Sequence, residues 1–427
     1  MKRLVLTFHI AIVACLAGVV MYHIWSPEIL INDSLEYKLA ANNMVDYNTL
    51  YGCVLNEPLD FRLYGKRTLG YPIFILFQLE SDFLILLVSV SIYALIFFLG
   101  INILAKFTQT RMAFMLYLFL FVANITLALH TTFVMADLLL AAIITAGVSV
   151  CFESRISLAA RVKGLSLLWA IGLLLKPVLL PSLILAPILL IYFKNVHHKW
   201  YLYIVFPFVV FIVGSFVNMQ NTQVFEYSSI STINLGQYNS KLTVTSAEGK
   251  EEGDAYVNQN TFQIPRNAEE YAKYKEGVTK LAFDQLKSNP LAYAKVHLAG
   301  MIKMILDPGR FELYTFFGVN DKEQSLTELL YAREWQKLKT ALYRNKIVFV
   351  LFVVLFLLSI MKLLIALFSI SKNRNTLLLW LIIFYFIAIT GPIGAARFMM
   401  PVSILYNVLI CLGAGRILNF FKKRTKS

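Results

Sequence analysis

The feature that most constrains this chain is a succession of apolar runs, each about as long as a bilayer is thick, separated by short basic loops. A helix needs roughly 20 apolar residues to cross the hydrocarbon core. Ten candidates can be marked: residues 4–24, 82–104, 112–129, 133–152, 164–176, 178–193, 200–218, 347–370, 376–391 and 398–417. With 58% hydrophobic and 15% charged residues over 427 positions, there is far more apolar sequence than one soluble core could use. The expected fold class is an all-α polytopic membrane protein: a bundle of about ten transmembrane helices with juxtamembrane helices on its outer face.

Charge then sets the threading. The net charge of +14 might suggest a nucleic-acid partner, but the basic residues gather in short loops and in the tail. That is the pattern of charges that fix membrane orientation, so no nucleic acid is expected. Starting inside with Lys2 and Arg3, the inner loops hold Lys106 and Arg111, then Arg155, Arg161 and Lys163, then Lys194 and Lys199, then Lys372 and Arg374. The tail adds Lys422, Lys423, Arg424 and Lys426. Both termini are then cytoplasmic. Merging residues 164–193 into one span would export the basic tail, so the fifth and sixth runs are read as a hairpin at Lys176-Pro177. The first run is read as an uncleaved helix, because no small-residue cleavage pattern follows it near Trp25 or Pro27.

The resulting plan is a first helix (1–24), a first outer loop (25–81), helices two to seven (82–218), a large outer loop (219–346), helices eight to ten (347–417) and a basic tail (418–427). In the large loop, Asn267 with Glu270 and Ser325 with Glu328 have the spacing of capping boxes. Residues 291–306 are apolar but carry Lys295, His297 and Lys303, which favours a helix lying on the outer leaflet. Cys15, Cys53, Cys151 and Cys411 suggest neither a disulfide framework nor a zinc ligand set.

On this topology the unusual polar residues converge on one side. Asp33 and Glu36 follow the first helix, Arg67 precedes the re-entry, Asp137 lies about a turn inside helix four, Lys176 sits at the hairpin, and Arg397 starts the last helix. An ionisable residue costs on the order of 2.5–3.5 kcal/mol at a span centre and less near the interface, so Asp137 needs a partner or a wet cavity. Plainer readings stand beside the functional ones. Asp33 and Glu36 could form a capping box for a helix beginning at Ser34. Lys176, Arg397 and Arg67 could serve as headgroup anchors. Asp137 could merely pair with Arg397 or Lys176 to hold helices together. His130 and His297 fit interfacial residues with satisfied hydrogen bonds, and six histidines without ligand spacing do not make a zinc site.

The order of these pieces resembles the GT-C superfamily, polytopic glycosyltransferases that use polyprenyl-phosphate sugars, in the branch of the protein mannosyltransferases and the lipid A aminoarabinose transferase. The resemblance rests on Asp33-Ser34-Leu35-Glu36-Tyr37, Arg67-Thr68-Leu69-Gly70-Tyr71-Pro72, Asp137, Leu175-Lys176-Pro177, His297-Leu298 through Asp307-Pro308-Gly309, and Arg397 with Pro401. Leu69 stands where many members have proline, and Lys176 where many have arginine. The resemblance implies a GT-C-like bundle and an inverting glycosyltransferase in the cell inner membrane, working on the outer, periplasmic face. Its partners would be a polyprenyl-phosphate-linked sugar donor and a glycan, lipid or protein acceptor.

By the same resemblance Asp33 would be the general base, with a pKa raised at the lipid boundary. Glu36 and Asp137 would orient the acceptor or the basic groups. Arg67 and Arg397 would grip the donor phosphate, with Lys176 adding a point charge. Tyr37, Tyr71 and His297 would support the site. No cofactor is required by the sequence, although some members of the family bind a divalent cation through comparable carboxylates. The chief rival is a transporter or flippase for a lipid-linked or anionic substrate, which would favour inverted repeats and charges near the bilayer midplane. A polysaccharide polymerase or ligase and a non-catalytic scaffold are further alternatives.

Overall fold

A computed structural model describes residues 32–55, 58–78, 81–185, 203, 205–259, 262–316, 329, 333–343 and 346–424. Among these the chain is helical, and its only β pairing is an isolated bridge between Tyr51 and Tyr64. The principal helices are α1 (Asn32–Asp46), α2 (Gly70–Leu76), α3 (Asp82–Ala105), α4 (Arg111–Val122), α5 (Ile125–Leu129), α6 (Ala136–Phe152) and α7 (Leu158–Leu175). They continue with α8 (Phe206–Thr222), α9 (Ala268–Ser288), α10 (Pro290–Leu306), α11 (Arg310–Phe316), α12 (Lys346–Leu367), α13 (Arg374–Ile389) and α14 (Ser403–Arg424). Among the described residues four stretches are long and apolar enough to cross a membrane: Phe83–Ala105, Leu158–Leu175, Phe349–Leu367 and Ala396–Lys422. The chain is an all-α polytopic membrane protein.

Helix starts follow from local chemistry. The Ser157 hydroxyl accepts from the Ala160 N–H at 3.3 Å, and the Asn373 side chain accepts from the N–H groups of Asn375 and Thr376. Each satisfies a donor the first turn would otherwise leave bare. The Asn267–Glu270 box forms in both directions: Glu270 N–H donates to Asn267 Oδ1 at 2.9 Å, and Asn267 Nδ2 to Glu270 Oε1 at 2.7 Å. Ser325 and Glu328 lie outside the described residues, as does the expected first helix at 4–24.

Several spans differ from expectation. The fifth is not short: α7 begins at Leu158, so Arg161 and Lys163 ride on its opening turns instead of in a loop. Their long stems let the charges reach back, and Arg161 Nε bonds the Ile156 carbonyl at 3.0 Å. The sixth, in its described part, is a 3-10 run over Pro177–Ile184, with Pro181 inside it lacking the N–H that an α-helix would need there. The third breaks after Val122, where the Asn124 side chain caps α5. Residues 291–306 do form a helix, but α10 is docked: Val296, Gly300 and Met304 are buried while Leu291, Leu298 and Ile302 face outward.

The core is organised around the last helix. In the Ala396–Lys422 stretch 78% of the apolar window is buried, against 6% for Phe349–Leu367, so one is a central pillar and the other a peripheral span. Ile404, Leu405, Val408 and Leu409 pack with Ile96, Phe97 and Leu104 of α3 and with Tyr117 and Phe121 of α4. A smaller cluster of Tyr37, Ala41, Tyr71, Ile75, Ile85, Val134, Ala136 and Leu175 ties α1, α2, α3, α6 and α7 together at one end of the bundle.

Candidate active site

That smaller cluster is the floor of an ionic site. Gly70 makes it possible: a Cβ there would lie 2.7 Å from the carbonyl oxygen of Leu174, so only glycine lets α2 start against the end of α7. Arg67, just before α2, and Lys176, just after α7, both come within electrostatic reach of Asp33. Tyr37 and Tyr71 meet edge to face with centroids 4.9 Å apart, and the Arg67 guanidinium lies 4.9 Å from the Tyr37 ring centroid. Burial pushes the Tyr37 hydroxyl up to about 12, which keeps it protonated.

Asp33 sits in the first turn of α1 and does not cap it. Its carboxylate is held between two guanidinium groups: Arg67 Nη2 donates to Oδ1 at 2.6 Å and Arg397 Nη1 to Oδ2 at 2.7 Å. Glu36, one turn on, takes Arg67 Nε at 2.8 Å and Lys66 Nζ at 2.7 Å. Asp137, wholly buried in the first turn of α6, accepts from Lys176 Nζ at 2.6 Å through Oδ1, and its Oδ2 has no partner among the described residues. Lys176 is therefore an ion-pair member and not a headgroup anchor. The Phe398 ring lies 5.0 Å from the Arg397 guanidinium and 6.0 Å from the Lys176 ammonium.

The electrostatics correct one expectation. Burial alone would raise the Asp33 carboxyl, but Arg397, then Arg67 and Lys176, overcome it and hold the group well below the usual carboxylate range. It is not raised by its boundary position. In this arrangement Asp33 is a firmly ionised counter-ion and a weak base. The cluster as a whole sets four basic residues (Lys66, Arg67, Lys176 and Arg397) against three carboxylates, which leaves one positive charge in excess. Asp33 remains 22% exposed.

Of the nine side chains singled out in the sequence, Asp33, Glu36, Arg67, Asp137, Lys176, Arg397, Tyr37 and Tyr71 are brought together. His297 belongs elsewhere: its Nε2 lies 2.9 Å from the Ala388 carbonyl and its Nδ1 3.3 Å from the Tyr293 hydroxyl, which clamps α10 to the end of α13. Neither contact is to a member of the cluster. His130 is buried, not interfacial, and its Nδ1 faces the Thr126 carbonyl at 2.7 Å. Burial takes it down to about 4, so it is neutral.

One acidic residue escaped the sequence reading. Glu312 in α11 is 3% exposed, and burial, then Asp307, pushes its carboxyl up to about 7. It lies within electrostatic reach of Arg397 and Asp137. A divalent cation does not fit the residues present, because Asp33, Glu36 and Asp137 each already carry one or two basic partners.

Among solved structures the chain is similar to the crystal structure of ArnT from Cupriavidus metallidurans bound to undecaprenyl phosphate. The match covers 95% of this chain and 77% of that one, at 12% sequence identity and a TM-score of 0.35. No protein-family model matches the sequence, and no curated protein matches it.

Proposed function

We propose that the chain is an inverting glycosyltransferase that moves a sugar from a polyprenyl-phosphate donor to an envelope glycan, lipid or protein acceptor. Its site would open on the outer face of the cytoplasmic membrane, with both termini cytoplasmic. The observation that carries the reading is the grip of two arginines on Asp33, with one positive charge left over in the cluster. Two guanidinium forks and an ammonium suit a phosphate, whose oxygens accept bidentate bonds. The order of motifs along the chain, which resembles the GT-C superfamily, supplies the choice of reaction.

The mechanism couples donor binding to base activation. When the donor phosphate draws Arg67 and Arg397 toward itself, Asp33 loses the two largest charges that depress its pKa, and burial then weighs against Lys176 alone. The freed carboxylate takes the proton of the acceptor hydroxyl or amine as that atom attacks the anomeric carbon. The bond from the anomeric carbon to the phosphate oxygen breaks, and the polyprenyl phosphate leaves with the electron pair. It is stabilised by the same guanidinium groups, so no general acid is needed. A single displacement inverts the anomeric carbon. Asp137 keeps Lys176 oriented, and Glu36 keeps Arg67 and Lys66 in place.

The test is native mass spectrometry of gently extracted protein together with transfer assays using polyprenyl-phosphate sugars. A bound polyprenyl phosphate that disappears in Arg67→Ala and Arg397→Ala is the expected result. Asp33→Asn should retain the lipid but lose transfer by at least about 100-fold, the usual worth of a general base. Retained turnover in Asp33→Asn would sink the base assignment. If no donor lipid binds to the wild type, the transporter reading takes its place.

A further inference from the structure

A second group of polar side chains lines a cleft that includes no member of the ion cluster. Between α12 and α14 is a partly open cleft of about 70 Å³, lined by Ser359, Lys362, Ser403, Tyr406 and Asn407, with Asp307 among its lining residues. By volume it has room for a few waters or one tetrahedral oxyanion. Its lower boundary is a tight crossing: a Cβ on Gly413 would lie 2.0 Å from the Ile365 carbonyl oxygen, so the two backbones touch there.

Lys362 belongs to the inward stripe of α12. Leu355, Leu358, Ser359 and Lys362 recur at helical spacing and line the cleft, whereas Val350, Val354, Leu357, Met361 and Leu364 form the exposed face. Among the described residues no carboxylate pairs with Lys362. The Tyr406 hydroxyl and Asn407 Nδ2, both buried, also have no partner among the described residues. Ser359 and Ser403 spend their hydroxyl protons on the Leu355 and Met400 carbonyls. Asp307 is occupied elsewhere, accepting from the Gly309 and Arg310 N–H groups.

The unsatisfied groups are thus an ammonium, a phenol and an amide N–H, all hydrogen-bond donors. A cation within a span costs on the order of 2.5–3.5 kcal/mol without compensation, and buried donors add to that. A small anionic acceptor in the cleft is the chemical complement of such donors. We propose that this cleft holds the phosphate of an anionic membrane lipid, with Lys362 as counter-ion and Tyr406 and Asn407 as donors. A lipid is the source that the apolar outer face of α12 favours, because acyl chains can lie along it while the headgroup enters the cleft. The proposal stands whether or not the ion cluster transfers sugar.

The experiment is native mass spectrometry of the full chain released from nanodiscs of phosphatidylglycerol or of phosphatidylcholine. Wild type should retain a phosphatidylglycerol adduct, and Lys362→Met should reduce it about tenfold, the usual worth of one charge-assisted hydrogen bond. Lys362→Arg should keep most of it, and Tyr406→Phe, the mildest change, should weaken it. Arg397→Ala, which empties the other site, should leave it intact, and the two lipids differ in mass. Equal retention in wild type and Lys362→Met overturns the proposal. So does thermal stabilisation by inorganic phosphate in phosphatidylcholine discs without any retained phosphatidylglycerol, which would identify free phosphate as the ligand.

Discussion

The ion cluster around Asp33 and the cleft around Lys362 differ in who satisfies their charges. In the cluster every charged side chain has a protein partner between 2.6 and 2.8 Å. In the cleft a lysine and two buried donors have none among the described residues. A self-satisfied cluster is stable without ligand, and a ligand must win its place by exchanging partners. An unsatisfied cleft carries a standing cost until something enters. The first arrangement suits a substrate that comes and goes, and the second suits a resident.

The largest effect should come from breaking a pair inside the cluster. Lys176→Met leaves Asp137 charged, buried and alone, and removing one member of a buried pair typically costs about 3–5 kcal/mol. We expect a markedly lower thermal midpoint in detergent. Adding Asp137→Asn should recover much of the loss, because the pair is then removed as a unit. Lys362→Met, by contrast, should not lower the midpoint, since it leaves no charge behind. If both lysine variants are equally damaged, the contrast between the two regions fails.

Glu312 sharpens the comparison through pH. Its carboxyl is raised from the ordinary 4.5 to about 7 in the folded protein. As pH rises from about 4.5, the unfolded chain releases this proton while the folded chain keeps it, so stability falls until about pH 7 and then levels off. The total is roughly 3 kcal/mol. Glu312→Gln should remove that slope and stabilise the protein at neutral pH. Denaturation midpoints followed across this window check the sign; a slope unchanged in Glu312→Gln would assign it to another group.

How much of this was readable in the chain depends on why each residue is noticed. Asp33, Arg67, Asp137, Lys176 and Arg397 stand out because charges beside membrane-length apolar runs demand compensation. Who pairs with whom does not stand out. Asp137 pairs with Lys176 and Asp33 with both arginines, a choice that depends on how α1, α2, α6 and α7 pack around their shared apolar cluster, with α2 meeting α7 closely at Gly70. Glu312 was invisible for the opposite reason: in a polar loop a carboxylate needs no explanation, and its burial arises from the packing of α11 on α5 and α12. The start of α7 was misread because Arg161 and Lys163 resemble loop charges, although their stems lie along the helix. Lys362 sat within an apolar run long enough to span regardless, and only the facing side chains of α14 show that it lines a cleft.

Gly70→Ala tests the register itself. The added methyl group would meet the Leu174 backbone at 2.7 Å, which cannot yield as a flexible side chain would. Overpacking of this kind typically costs about 1–3 kcal/mol. The larger consequence should be functional, because the shift separates Arg67 from Lys176 and so pulls the phosphate grip apart. Donor retention should therefore fall more than the thermal midpoint does; a lowered midpoint with full donor binding would mean that register and grip are independent.

The smallest effect is expected from Lys66→Met. Glu36 would lose one of its two partners but keep Arg67 at 2.8 Å, and Lys66 is already partly open to solvent, where such a pair is worth about 1 kcal/mol or less. The stability change should sit near the limit of detection. Its value lies in charge: the variant makes the cluster neutral while sparing both arginines. If the excess positive charge attracts the donor, binding should weaken and its salt dependence should flatten. If binding and salt dependence are unchanged, the two guanidinium groups alone define the site.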